Sequence, residues 1–306
     1  MRIRLGRPDL AAWADHFDVP PATGARSVTF LGVASLLITD GRTSLLTDGF
    51  FSRPSLIKVA LGRLSPDRAR IDSALRRADI ERLAAVLPVH SHFDHVMDSA
   101  DVARSTGAVL VGGRSSANVG RGHGLAEEQI TVATPGEALY FGDFTVTLIE
   151  GAHCPPDRYP GTIEAPVTPP ARASAYRCGE SWSTLIAHVE GWSALVQGSA
   201  GFVPGALAGH RADVVYLGVG QLGIQSEDYL RTYWAETVRA VGARRVVLIH
   251  WDDFFRGLDE PLRALSYAGD DLDLTMRLFT SYAEADRVDL HLPTLWRRED
   301  PWRGLI

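Results

Sequence analysis

The stretch Ala84-Ala-Val-Leu-Pro-Val-His90-Ser-His92-Phe-Asp94-His95 decides how the rest of the chain is read. Its first half, 84–89, is a compact apolar run and predicts a buried strand. That strand delivers the chain directly into the histidines. Residues two apart on an extended chain point to the same side, so His90 and His92 can reach one ion. Asp94 and His95 follow where the chain turns toward a helix, and they can aim at a second point close by. Neutral imidazole together with carboxylate suits Zn, Mn, Fe or Ni better than Ca or Mg.

Working outward, short apolar runs at 27–32, 35–39 and 44–48 predict three early strands split by turn residues such as Asp40-Gly41. A helix is expected over 66–78 and another over 96–106, with a strand at 108–111 between later elements. Further strands are expected at 130–133, 138–141 and 144–150, and a hairpin at 184–189 and 194–197 turning at Glu190-Gly191. A strand at 213–218, a helix over 229–241 and a last buried strand at 245–249 lead to His250. Strands cluster in both halves with helices between and after them. That pattern implies an α/β architecture of two sheets packed face to face with helices outside. The stretch 154–177 holds six prolines, beginning with Pro155-Pro156, and has no periodicity. It predicts a long loop that borders the cleft, with Tyr159 and Tyr176 over it. With no repeat, low-complexity tract or clean linker, 1–306 reads as one domain.

The chain carries 31 Lys and Arg against 37 Asp and Glu, a formal charge of −6. This balance argues against a nucleic-acid partner, because phosphate binding needs a basic face. Two cysteines imply no disulfide framework. The first residues lack the apolar core of a secretory signal, and no window reaches a charge-free membrane span, so a cytoplasmic protein acting on a small molecule is expected.

The His-x-His-x-Asp-His run resembles the first metal motif of the metallo-β-lactamase superfamily. The opening stretches, 29–41 and 45–52, are similar to the branch that contains L-ascorbate-6-phosphate lactonase and N-acylphosphatidylethanolamine phospholipase D. The resemblance implies a four-layer αββα sandwich and one or two divalent ions, with zinc foremost and Mn, Fe or Ni as alternatives. It implies that His90, His92 and His153 hold one metal and that Asp94, His95 and His250 hold the other. Asp94 would also act in catalysis, orienting or deprotonating the attacking water, and Asp48 would orient a metal-bound imidazole from behind. The family normally carries a bridging Asp where this chain has Ser199, and Asp252 and Asp253 are candidates to fill in for it. The function implied is a metal-dependent hydrolase that uses a metal-activated water on an ester, lactone, amide or phosphoester. The alternative is a metal-binding but catalytically silent member of the same fold. A redox di-iron member would replace the second motif histidine by Glu, and His92 argues against that.

Overall fold

The computed structural model describes residues 4–305. Its strands are β1 (Ser27–Phe30), β2 (Leu36–Thr39), β3 (Ser44–Thr47), β4 (Ala85–Leu87), β5 (Val109–Gly112), β6 (Ile130–Val132) and β7 (Ala138–Phe141). They continue as β8 (Phe144–Gly151), β9 (Ser181–His188), β10 (Ser193–Gln197), β11 (Val214–Gly218), β12 (Arg245–Ile249), β13 (Asp289–His291) and β14 (Arg298–Glu299). One sheet runs β14-β1-β2-β3-β4-β5-β6 and the other β13-β12-β11-β10-β9-β8-β7.

The apolar runs that marked the strands are continuous because both faces of each sheet are covered. In the first sheet Phe30, Leu36, Ile38, Leu45 and Leu87 join the core shared with the second sheet. Their alternating neighbours Leu37, Leu46 and Val86 pack outward instead. There they meet Ile71, Ala74 and Leu75 of α2 (Arg68–Arg77) and Ala100, Val102 and Ala103 of α4 (Ser99–Thr106). Each such fully buried Leu, Ile or Val contributes about 1.5–3 kcal/mol. Asp67 starts α2 by accepting the Arg70 N–H on its side chain.

Helix α1 (Leu56–Leu61) precedes α2, α3 (Phe93–Val96) is a single turn within the motif, and α5 (Arg114–Gly122) follows β5. The helix expected over 229–241 is α6 (Glu227–Trp234), which passes into a π-helical turn at Ala235–Arg239. Beyond residue 250, where no element was expected, the chain adds the longest helix, α7 (Leu272–Asp286). Its Met276 and Phe279 pack with Tyr233 and Trp234 of α6 in the same core as the second sheet. These layers form the αββα sandwich. No helix of the described residues is long and apolar enough to cross a membrane.

The pairing directions decide where a site can form. Strands β3 and β4 are parallel, so Asp48 and the His90 motif leave the first sheet at one edge. In the second sheet β10, β11 and β12 are mutually parallel, and β8 and β10 both pair antiparallel with β9. The ends of β8, β10 and β12 therefore emerge together and carry His153, Ser199 and His250. Ligands in open α/β sheets gather outside the carboxyl ends of strands.

One buried carboxylate near this edge couples stability to pH. Asp270 is almost fully buried, its Oδ1 accepts the Gly223 N–H at 2.8 Å and its Oδ2 has no partner. Burial pushes its pKa up to about 7. Between about pH 4 and 7 the folded state thus keeps a proton that the unfolded chain releases. Its contribution is complete below pH 4 and is lost as pH rises toward 7. Asp270→Asn keeps the acceptor without the charge. Its melting temperature should exceed that of the parent at pH 8 and the gap should close by pH 4. A gap independent of pH would refute this assignment.

Candidate metal centre

The structure brings the donor atoms of His90, His92 and His153 within 4.8 Å of one another, and likewise those of Asp94, His95 and His250. The two groups adjoin: the His90 and His95 rings are 4.0 Å apart between centroids. His92 caps the start of α3, and that single turn aims Asp94 and His95 at the second group. Asp94 Oδ2 lies 3.6 Å from His250 Nε2 and 3.7 Å from His95 Nε2.

The outward-facing nitrogens are held by acceptors. His95 Nδ1 donates to Asp48 Oδ2 at 2.7 Å, while Asp48 Oδ1 accepts the Val89 N–H at 2.9 Å. His153 Nδ1 donates to the carbonyl of Cys154 at 2.6 Å. His92 Nε2 faces the Tyr159 carbonyl at 3.4 Å and Asp157 Oδ1 at 3.2 Å. Each of these three rings therefore carries its proton on the outer nitrogen and turns a lone pair inward, whereas His90 Nδ1 and His250 Nδ1 have no partner. His92 Nδ1 and His90 Nε2 are 3.0 Å apart there. The inward lone pairs of His92, His153 and His95, with the Asp94 carboxylate beside them, are donors a cation would take, and His90 Nε2 joins them once its proton sits on Nδ1. The donor set fits a divalent transition ion.

The electrostatics agree for the three-histidine group. Burial holds His90 well below the ordinary imidazole range, and the neighbouring His95, His92 and His153 add to it. Burial, then His92, pushes His153 down to about 4. Neutral imidazoles are the form a metal needs. Burial works against ionisation of Asp94, but His95 and His250 outweigh it and keep its carboxyl well below the usual range. For His95, burial opposes the charge, and Asp48 and Asp94 overcome it and raise the pKa.

Other expected residues go elsewhere. Ser199 lines the cleft beside His92, Asp94, His153 and His250, and its hydroxyl accepts the Cys154 N–H at 3.1 Å. Asp252 does not substitute for the missing bridging carboxylate. It is fully buried, ion-paired with Arg53, and accepts the Val33 N–H at 2.9 Å. Asp253 pairs with Arg7 and Arg263, at 3.3 and 2.9 Å. Cys154 is buried, which pushes its thiol up to about 12, the opposite of an activated nucleophile.

Above the donors lies a cleft of about 690 Å³. Of the proline-rich stretch, Arg158 and Tyr159 line it. Tyr176 does not: it is fully buried in a cluster with Ile163, Val167 and Val119. An apolar core was available to it under the loop, and burying a ring there is worth more than leaving it at the mouth. The cleft wall comes instead from Leu56, Ile57 and Val59 of α1 and from Phe254 and Phe255. Sequence reasoning missed this wall, and also Asp157. The apolar run at 56–61 was the available signal for the wall.

Residues 28–192 match the family model described as the metallo-beta-lactamase superfamily. A UPF0173 metal-dependent hydrolase of Heliobacterium modesticaldum is 27% identical over 131 residues, covering 38% of this chain and 48% of that protein. The chain spans about half the length of the curated relatives it matches. Among solved structures, Igni18, a novel metallo hydrolase from Ignicoccus hospitalis, aligns with a TM-score of 0.52 at 15% identity, over 89% of this chain and 96% of that one. CmlA, a diiron beta-hydroxylase from Streptomyces venezuelae, aligns with a TM-score of 0.54 at 15% identity, over 91% of this chain and 54% of that one. At such identities the likeness shows the fold, and these two neighbours carry different chemistries on it.

Proposed function

Because the chain belongs to the metallo-beta-lactamase superfamily, we propose that it is a metal-dependent hydrolase of a small-molecule ester, lactone, amide or phosphoester, with zinc as its metal. The observation that carries this reading is the inward turn of the His92, His95 and His153 lone pairs, each set by an acceptor behind its ring. His90, His92 and His153 would hold one cation, and Asp94, His95 and His250 a second. When bound, such an ion lowers the pKa of a water toward neutrality and draws charge from an acyl or phosphoryl oxygen.

The chain's own residues supply the rest. Asp94 is the one carboxylate among the six donors and stays ionised, so its carboxylate orients the attacking water as a hydrogen-bond acceptor, while a carboxyl held so far below the usual range is a weak base for its proton. Asp48 keeps the proton of His95 on Nδ1 and its ring in place. Leu56, Ile57, Phe254 and Phe255 bind the apolar part of the substrate and exclude bulk water. Arg158, exposed at the mouth, has no acidic partner among the described residues and is free to meet an anionic group.

A second reading, a silent metal binder, is favoured by Ser199, which brings no charge to the cleft. Elemental analysis of the purified protein, run with a panel of lactones, esters and phosphodiesters, separates the two. Hydrolysis of one class, lost on chelation and regained with zinc, is the expected result. A zinc-loaded protein inert toward the whole panel selects the silent binder, and a protein that takes up no metal removes both.

A further inference from the structure

We propose that Asp157 is a positioning residue: the anionic partner, carried on the proline-rich segment, that fixes His92 for metal binding. This rests on the reading that the three-histidine group holds a cation. In the H-x-H pair His90 Nδ1 has no partner, whereas His92 has acceptors behind its outer nitrogen. Its Nε2 is 3.2 Å from Asp157 Oδ1 and 3.4 Å from the Tyr159 carbonyl. Both neighbours are acceptors, so the ring proton belongs on Nε2 and the Nδ1 lone pair belongs to the cluster. Asp157 Oδ1 is itself held by the Tyr159 N–H at 2.9 Å, which closes residues 157–159 into a tight turn.

That turn is pinned to the motif at a second place. The Tyr159 carbonyl accepts the Cys178 N–H at 2.9 Å, and the Cys178 carbonyl accepts the Ser91 N–H at 2.8 Å. The Ser91 hydroxyl donates to the Arg177 and Cys178 carbonyls at 2.7 and 2.9 Å. The residue between the two motif histidines is thus tied to the far end of the loop, and His92 to its near end.

Charge gives the arrangement its purpose. His95 has Asp48 behind it, whereas His90, His92 and His153 include no carboxylate. Ser199 adds none. Asp157 is the carboxylate in contact with that group, and its side chain is about four-fifths buried, where its charge is weakly screened. The same turn presents Arg158 and Tyr159 to the cleft, so one segment orients a metal ligand and forms part of the substrate wall.

Cobalt(II) loaded into the full chain tests this. Affinity is read by competition with a chromophoric chelator, and ligand geometry by the visible cobalt bands. Asp157→Ala should weaken the three-histidine site by about 10–100-fold, the range for outer partners of metal-bound histidines. It should also shift the cobalt bands. Asp157→Asn keeps the volume and an acceptor oxygen, guards against misfolding of the alanine variant, and should lose less. Asp157→Glu should regain affinity relative to alanine. The melting temperature of the metal-free protein should move little. Alanine and asparagine variants that bind cobalt as the parent does, with the same spectrum, overturn the proposal. A parent protein that binds no cobalt removes the metal reading and this inference with it, whereas a parent that binds cobalt alongside variants that match it overturns this inference alone.

Discussion

Asp252→Ala should cost about 3–5 kcal/mol of stability, the range for removing one partner of a buried ion pair. It should also loosen His250. Both side chains of the Arg53–Asp252 pair are fully buried. Arg53 Nη2 donates to Asp252 Oδ2 and to the Asp253 carbonyl, the latter at 3.1 Å. Its Nε and Nη1 have no partner, so a lost carboxylate is not replaced from within. The guanidinium is wedged against Gly32, which has φ +92°, and a Cβ there would lie 2.3 Å from Nη1. Asp252 Oδ1 meanwhile holds the Val33 N–H, and the Val33 carbonyl holds the His250 N–H at 2.7 Å. Val33, Arg53 and His250 all have positive φ, at 54°, 41° and 60°. For a β-branched residue this is a real outlier. Such strain costs on the order of 1–3 kcal/mol per residue and persists only where the surroundings over-determine it. Here the ion pair is what over-determines it. Urea unfolding measures the loss. Replacing both partners by apolar residues, as Arg53→Met with Asp252→Leu, should return part of it, because the uncompensated charge is gone. A cost under about 1 kcal/mol for Asp252→Ala would show that the pair does not hold these backbone turns.

This role for Asp252 also shows where sequence reading stops. The strands were legible because burial on both faces writes continuous apolar runs, and Asp40-Gly41 and Glu190-Gly191 punctuate them. Each inward-facing donor could be sought because it follows such a run: His90 after β4, His153 after β8, His250 after β12. The partners of those donors follow no run. Arg53 and Asp252 meet across 199 residues, and neither lies in a strand or helix. Asp157 sits after two prolines in a segment with no period, and only the fold puts it against His92. Asp252 looked available for a metal because its neighbour His250 is a donor candidate. Successive residues on an irregular turn need not face the same way, and here Asp252 faces Arg53. Helix α7 is a different case. Asp271 accepts the Leu274 N–H as an N-cap, and Leu272, Thr275, Met276, Phe279 and Ala283 follow at helical spacing. That pattern was readable in the residues themselves.

Ser199→Asp should raise the metal retained through dialysis against a mild chelator from about one ion per chain to about two, the number a paired site can hold. Two unit charges about 4 Å apart at an effective dielectric of 20 interact by about 4 kcal/mol, so two dications repel by about four times that. Among the six donors only Asp94 carries a negative charge to offset it. A bridging carboxylate would set one more negative charge against both ions. Ser199 stands in the cleft beside both donor groups, but its hydroxyl is neutral and is spent on the Cys154 N–H. One site therefore fills first, and the second fills only at high metal concentration. An aspartate at 199 can still accept the Cys154 N–H, so the fold should survive, as a circular-dichroism melt would report. Outer partners alone change metal affinity by about 10–100-fold, and a carboxylate shared directly by two ions should exceed that. Ser199→Asn is the control: it has the volume and an acceptor oxygen but no charge, and should leave the ratio where it was. If the unaltered protein already keeps two ions through the chelator, and neither substitution changes the count, charge at position 199 is not what limits the second site.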